Sequence, residues 1–474
     1  MSQALLAGLP LAVVVTALVL RVAALRSALL GIGVAVAVTG TAFPEHLDEL
    51  VRGVPGWLPT VVEVLVILGG GIALARVMDR SGAQGVLAGW LGPLTGGPVA
   101  TALLVVHGVT PFAESVTGFG VGVMVGVPLL AAAGFAPHRA AVLGLLGLCA
   151  VPWGALGPGT IVAARLIGAT PEEVGVATAW PNVLATVGVG VAAVLMVPGG
   201  RSVRAVLAGV ASGLVLWAGV LGSSLVVGMA PSGALGGLLA IAVHLVWRRA
   251  HGVTVRPTAP VLHALVPYAV LLAGILLATA VVRLLDLGVA GDVLASPAVW
   301  LVLTCLAAVR WLRLPAIEQR AVGRELVHLW RRVALPTAAF LALGVVMVLG
   351  GLTEPLGEAL RSTGPVALAL GPVVGAIGGF VTGSGAGANS MFAAAQAAVA
   401  QGVGVSPVAF VGLHNAAAGL LTMASPARVL LAVHAVPEVP SLQGGATVAR
   451  VTRTVLLVDA VVVAAMVAWA LLVL

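Results

Sequence analysis

A chain of 474 residues that is 60% hydrophobic and 8% charged, with a mean hydropathy of +1.17, has too little polar surface to coat a water-soluble globule and is read as a polytopic membrane protein. Its formal charge of +7 does not indicate nucleic acid, because the arginines are spread between apolar stretches and are not gathered beside aromatic residues. Apolar segments long enough to cross a hydrocarbon core follow one another from end to end, which leaves no room for a sizeable soluble domain.

Taken in chain order, clear spans lie near residues 4–20, 28–43, 58–78, 174–197, 204–228, 233–247, 260–285, 333–352 and 454–474, and with the interrupted segments between them about eleven to thirteen crossings are expected. The first run has no basic region before it and no evident A-x-A site after it, so it is read as a retained span rather than a cleaved signal. Arg21 and Arg26, Arg76 and Arg80, Arg248, Arg249 and Arg256, and the run Arg310, Arg313, Arg320, Arg324, Arg331 and Arg332 are read as loop residues. The positive-inside rule makes those loops cytoplasmic. Glu45, Asp48 and Glu49 then face outward, the amino terminus lies outside, and Arg450 and Arg453 before the last span place the carboxyl terminus outside as well. All 23 basic residues are arginine, which is a matter of composition and not of mechanism. Cys149 and Cys305 sit in separate apolar segments and read as free buried thiols, so neither a redox compartment nor a metal follows from them.

Two interrupted stretches carry the same small-residue signature, Thr117-Gly118-Phe119-Gly120-Val121-Gly122 and Thr382-Gly383-Ser384-Gly385-Ala386-Gly387. Each is followed by a short apolar run, a proline that can open a helix (Pro137, Pro407), about 18 to 20 helix-like residues, and a closing proline (Pro158, Pro426). One unit is used twice. Paired, glycine-interrupted hydrophobic segments in corresponding places of two halves are the sequence pointer to the binding site of a secondary transporter. Glycine permits a chain to turn back within the bilayer and lets a ligand approach the exposed amides, and a helix amino terminus beside such a turn favours an anion. Close helix packing is the alternative use of the same glycines.

The first signature belongs to the run His107-Gly108-Val109-Thr110-Pro111-Phe112-Ala113-Glu114-Ser115-Val116-Thr117-Gly118-Phe119-Gly120. A carboxylate within a membrane segment costs a few kcal/mol and usually faces a cavity or partner on an ion or proton pathway. Glu114 therefore has two readings: a group that carries a proton or couples to substrate, or a structural carboxylate that caps the amides of the glycine turn. His107, seven residues earlier, would share its helix face were Pro111 not between them, and is the second candidate for proton transfer. Around the second signature, Thr382, Ser384, Asn389, Ser390 and Gln396, then His414, Asn415, Thr422 and Ser425, supply hydroxyls and amides suited to a small carboxylate with a neighbouring hydroxyl. Some of these bond the backbone one turn earlier instead. Ser115, Thr117, Gly118 and Gly120 are the matching candidates in the first half, with Gly383 in the second. Arg165 and Arg428 follow the closing prolines; either can clamp a carboxylate or snorkel to the interface, and Arg428 is preferred. Glu63 and Asp459 also interrupt spans, as structural partners of arginines or as members of a relay.

The run Phe112-Ala113-Glu114-Ser115-Val116-Thr117-Gly118-Phe119-Gly120, with Gly134-Phe135-Ala136-Pro137 and Ala155-Leu156-Gly157, resembles the lactate permease family of bacterial secondary transporters. Thr382-Gly383-Ser384, Asn389-Ser390-Met391-Phe392, Asn415 and Met423-Ala424-Ser425-Pro426 resemble that family's second signature region. The similarity covers about residues 55–170 and 370–474. It implies a carrier of lactate and related 2-hydroxymonocarboxylates such as glycolate, driven by proton symport, in the bacterial inner membrane, and kinship with a superfamily of elevator transporters with re-entrant hairpins, often homodimers. The expected fold is then an all-α polytopic membrane protein with two inverted repeats, 1–250 and 251–474, each with a re-entrant helical hairpin and a broken helix, and site regions 107–160 and 376–428. The chain departs from the family at Gly385, Ala386, Gly387 and Ala388, in place of an acidic residue and hydroxyls, and at Thr422 and Met423, where a basic residue is missing. Arg428 is the candidate to replace that charge.

The expected partners are a small monocarboxylate anion, a proton and the lipid bilayer, with no nucleic acid, no metal and no cofactor. A carrier of another small organic anion, with sodium as coupling ion, is the alternative within transport, since unwound carbonyls can hold Na⁺. An intramembrane serine hydrolase with Ser384 as nucleophile and His414 as base is the alternative outside it, but no acid orients that histidine in an evident motif and no H-E-x-x-H is present.

Overall fold

The computed structural model describes residues 2–94, 96–253, 256–285, 287–361, 364, 366–436 and 447–474. Among the described residues every regular element is helical, and the nine clear apolar runs all fall on helices. A lipid-exposed backbone has no water to bond, so helices that satisfy their own amides are what such runs must form. Among the described residues, ten helices are long and apolar enough to cross a membrane, or eleven if Gly288–Ala295 and Pro297–Trp311, bent by 52°, make one span. Three shorter apolar helices, Gln3–Val19, Val121–Ala132 and Val366–Thr382, stand outside that count, which is why length alone returns fewer crossings than the apolar runs suggested.

One expectation fails in an instructive way. Arg26, Arg76, Arg80, Arg248, Arg249 and Arg310 lie near the ends of helices and not in loops, and Arg320, Arg324, Arg331 and Arg332 lie on the first half of the helix Ala316–Leu349, which has 34 residues and extends about 51 Å. The helix runs on through Pro336 where its polar half gives way to its apolar half, and Arg80 at the end of Leu58–Arg80 pairs with Glu318 and Glu325, one helical face of the polar half. Trp330 donates to the Leu65 carbonyl (2.8 Å) farther along the same contact.

The doubled unit is a doubled structure. In the first half Pro98–Leu103, a π-helical turn Leu104–Val109 and Thr110–Thr117 run to a break at 118–120, after which Val121–Ala132 returns along them. A Cβ added at Gly122 would come within 2.5 Å of the Thr110 carbonyl oxygen and 3.0 Å of the Glu114 Cβ, so the returning arm lies directly on the outgoing one. In the second half Val366–Thr382 breaks at 383–384 and Gly385–Val403 returns, with Gly378 facing Ala388 and Phe392. Each hairpin is followed by a broken helix. Pro137–Leu146 continues through the distorted stretch Gly147–Leu156 into Pro158–Leu166, and Pro407–Leu421 continues through Thr422–Ala424 into Pro426–His434. Pro158 and Pro426 thus open a second short helix at its first positions, where a missing N–H costs nothing, and do not close the first as the sequence suggested.

Side-chain size sets how closely these pieces stack. Gly375 and Gly379 rest on the His414 and Ala418 carbonyls, which seats the helix Val366–Thr382 against Pro407–Leu421 backbone to backbone. A Cβ at Gly379 would come within 2.0 Å of the Ala418 carbonyl oxygen, far inside van der Waals contact, whereas one at Gly33 would meet nothing within 4 Å. Gly379→Ala is therefore expected to destabilise the protein by about 1–3 kcal/mol through overpacking, seen as a lowered melting temperature in detergent, while Gly33→Ala causes no loss; equal melting temperatures would contradict this packing.

Candidate substrate and ion site

The helix Thr110–Thr117 ends because Gly118 adopts φ 73° and ψ −166°, a conformation closed to residues with a Cβ, and Phe119 and Gly120 follow at φ 56° and 84°. This reversal turns the next amides inward. Gly120 N–H donates to both carboxylate oxygens of Glu114 (3.0 and 2.9 Å), and Gly122 N–H donates to Oε2 (3.2 Å). Those amides open the helix Val121–Ala132, so Glu114 also meets the positive end of its dipole. The capping reading of Glu114 thus describes its bonds.

Glu114 has a second partner. Arg428, in the first turn of Pro426–His434, places Nη1 3.2 Å from Oε1. Glu114 is 3% exposed and Arg428 13%, whereas the groups of the other ion pairs among the described residues are 29–79% exposed. Nη1 lies close enough for a strong Coulomb contact but outside hydrogen-bonding geometry, so its donors are not spent. Arg428 is therefore not a free clamp: it is the counter-charge of Glu114.

The breaks of both halves meet here. Gly118 faces Ala155 in the first broken helix, Gly120 faces Arg428 and Leu431 in the second, Gly383 faces Ser425, and Gly159 lies against the Gly385 and Ala386 backbone. A buried amide network ties the joints together. Asn389 Nδ2 donates to the Gly159 carbonyl (2.9 Å) and to Asn415 Oδ1 (2.8 Å), and Asn415 Nδ2 donates to the hydroxyls of Thr160 and Thr178 (3.0 Å each). The Thr160 hydroxyl donates to the Pro152 carbonyl (2.8 Å) and that of Thr178 to the Val174 carbonyl (2.7 Å). Sequence reasoning missed Thr160 and Thr178. Nothing marked them, since threonines in apolar helices usually bond their own helix one turn earlier, as Thr178 does in addition.

At the second break the hydroxyls serve the backbone. Thr382 Oγ1 donates to the Gly378 carbonyl (2.7 Å) and accepts from Ser384 N–H (3.2 Å), while Ser384 Oγ caps Gly387 N–H (3.3 Å). Thr117 Oγ1 likewise donates to Ala113 (2.6 Å). The hydroxyls of Ser115, Ser390 and Ser425 are buried and make no hydrogen bond, and Ser425 is the one beside Gly383.

Other candidates lie elsewhere. His107 sits in the π-helical turn, which absorbs the missing amide of Pro111 and rotates the ring toward Ser212 Oγ (2.8 Å) and the Thr186 carbonyl (3.0 Å). A carbonyl only accepts, so Nε2 carries the proton in that arrangement. Arg165 is exposed and lines a cavity of about 1090 Å³ with Glu63, Glu172, Arg283 and Asp292. Glu63 is held there by Ser296 Oγ (2.6 Å). Asp459 is fully buried in the last helix, and neither oxygen has a hydrogen-bond partner. No hydrogen bond joins Ser384 to His414, whose ring meets Phe392 edge-on at 6.3 Å.

A bundle of apolar helices with two broken hairpins closing on one buried ion pair is the architecture of a multi-pass membrane carrier. The sequence model of the L-lactate permease family matches residues 3–290 and 285–473, and the chain belongs to the L-lactate permease family, which makes it a transport protein and not an enzyme. The match includes the middle of the chain, where no residue-level likeness was legible. No curated protein sequence matches it.

Removing one partner of a buried pair strands the other, at a cost of about 3–5 kcal/mol. Arg428→Gln should therefore lower the melting temperature strongly, and combining it with Glu114→Gln should recover much of that loss. A double variant no better than the sum of its singles would show that the two groups are not coupled.

Proposed function

We propose that the protein imports L-lactate and related 2-hydroxymonocarboxylates, glycolate among them, by proton symport across the bacterial inner membrane. The observation that supports this most is the meeting of two helix breaks and two broken-helix joints around Glu114 and Arg428, in a member of the L-lactate permease family. A carboxylate substrate needs a buried cation and inward-facing amides; Arg428 supplies the first, Gly120 and Gly122 the second, and Gly118 makes the turn that aims them. Ser425, beside Gly383, offers an unspent hydroxyl for the 2-hydroxyl and carboxylate, Ser390 and, on the Gly233 side of its helix, Ser115 are the further candidates, and the turn residues Thr382, Gly383 and Ser384 form the opposite wall. Thr117, Asn389 and Asn415 act from behind by holding the joints in place. Glu114 carries the proton, and His107, bonded to neighbouring helices, stands in the second rank.

The halves 1–250 and 251–474 are read as inverted repeats with both termini outside. The repeated order of hairpin and broken helix supports the first statement. The arginines that flank the base of the first hairpin, Arg80 and Arg139, support its insertion from the cytoplasmic side.

One proton carried with one monocarboxylate makes each pH unit, about 1.4 kcal/mol, worth a tenfold lactate gradient. Proteoliposomes holding the purified protein should accumulate L-lactate under an inward proton gradient without sodium, lose it with a protonophore, and show competition by glycolate. Uptake that requires sodium and ignores pH would refute proton symport.

A further inference from the structure

The first hairpin already holds a carboxylate where a substrate carboxylate is expected: against the amides of Gly120 and Gly122, at a helix amino terminus, with Arg428 alongside. That carboxylate is Glu114's own. We infer that Glu114 is a tethered stand-in for the substrate, and that substrate binding is an exchange in which the incoming carboxylate takes the Gly120 and Gly122 amides and Arg428 while Glu114 withdraws with a proton. This rests on the reading of the protein as a monocarboxylate carrier.

The argument is one of occupancy and charge. Two amides and one guanidinium make a site for one anion, and the turn is packed on the Ala155, Arg428 and Leu431 sides, where a Cβ at Gly118 or Gly120 would clash. A second carboxylate beside the first would leave a net negative charge in a buried, low-dielectric place, which is far more costly than exchanging one anion for another. The balance is simple. Before exchange the site holds Glu114 as carboxylate and Arg428 as cation; afterwards it holds neutral Glu114, the substrate carboxylate and Arg428. One proton is taken up with each anion, and the site is neutral at both stages. Arg428 is suited to both partners, because its Nη1 contacts Glu114 without a hydrogen bond and keeps its donors for another acceptor.

Among the described residues, no other titratable group pairs with Glu114. Among the elements packed on Thr110–Thr117, Val121–Ala132 carries none, Gly147–Leu156 carries only Cys149, and the π-helical turn carries His107, bonded to Ser212 and Thr186. The helix Ser232–Ala250 meets this region at Gly233 and Gly237, while its His244, Arg248 and Arg249 lie about 10 Å or more farther along. Leu58–Arg80 touches it at Gly71, with Glu63 about 12 Å away along the helix, Arg76 paired to Asp79, and Arg80 paired to Glu318 and Glu325. Pro426–His434 contributes Arg428, and its His434 bonds its own backbone at Leu430.

The test is a proton count. Purified full-length protein in weakly buffered detergent solution with a pH indicator is titrated with L-lactate near pH 7. Wild type should take up close to one proton per lactate bound, with affinity falling about tenfold per pH unit on the alkaline side. Glu114→Gln should bind lactate with no proton uptake and with an affinity that does not change with pH. Should that variant fail to fold, the wild-type proton count and pH slope decide alone. Lactate binding by wild type without proton uptake, or an unchanged count in Glu114→Gln, overturns the exchange and leaves lactate carriage standing. Folded wild type that binds no lactate overturns the carrier reading, and the exchange with it.

Discussion

The structure is organised by the cost of an unpaired backbone amide in a place that water does not wet. A continuous helix avoids that cost, and most of this chain is continuous helix. Two hairpins and two broken helices do not avoid it, so each break has to find acceptors for the amides it frees. At 118–120 the acceptor is a carboxylate, which serves two amides and then needs a cation of its own. At 383–384 the acceptors are neutral hydroxyls, and no cation is called for. The one deeply buried ion pair among the described residues follows from how the first break was capped.

Small side chains make the rest possible. Gly159 allows the second joint helix of the first half to lie on the backbone at Gly385 and Ala386, and this contact brings the Gly159 carbonyl within reach of Asn389. Asn415 then extends the bonding to Thr160 and Thr178, so five segments share one buried network. Each donor in that chain has an acceptor; an oxygen on Asn389 is left over. A network of this kind fixes the relative position of the joints more firmly than apolar contacts alone would, because a shift of about an ångström would orphan several polar groups at once.

Much of this was legible in the sequence, for physical reasons. Glycine and proline act locally, so the breaks at Gly118 and Gly383 and the helix starts at Pro137 and Pro407 could be read from single residues. The capping of its own glycine turn by Glu114 is also local, six and eight residues away. The identity of its cation was not, because Arg428 lies in the other half and only the fold brings it near; the sequence offered Arg428 as a substrate clamp but not as Glu114's partner. His107 was placed by a simple 3.6-residue count, which a π-helical turn defeats by adding a residue to the turn before Pro111. The arginines of Ala316–Leu349 were read as a loop because hydropathy was the guide, whereas ion pairs with Arg80 carry the helix past the apolar part.

On the exchange reading, the two readings of Glu114, helix cap and proton carrier, do not compete. A cap made of a neutral side chain would leave Arg428 without a counter-charge whenever the substrate was absent, and an empty carrier would then have to move a bare guanidinium through an apolar interior. A cap that is itself an anion supplies that counter-charge from within the chain. Because it is tethered, it can return to its amides each time the substrate leaves, and because it is a carboxylic acid, it can step aside only by accepting a proton or by leaving the cation for water. On the exchange reading, the loaded and the empty forms present the same net charge at the site. The bond that satisfies the backbone is then also the bond that couples the anion to the proton.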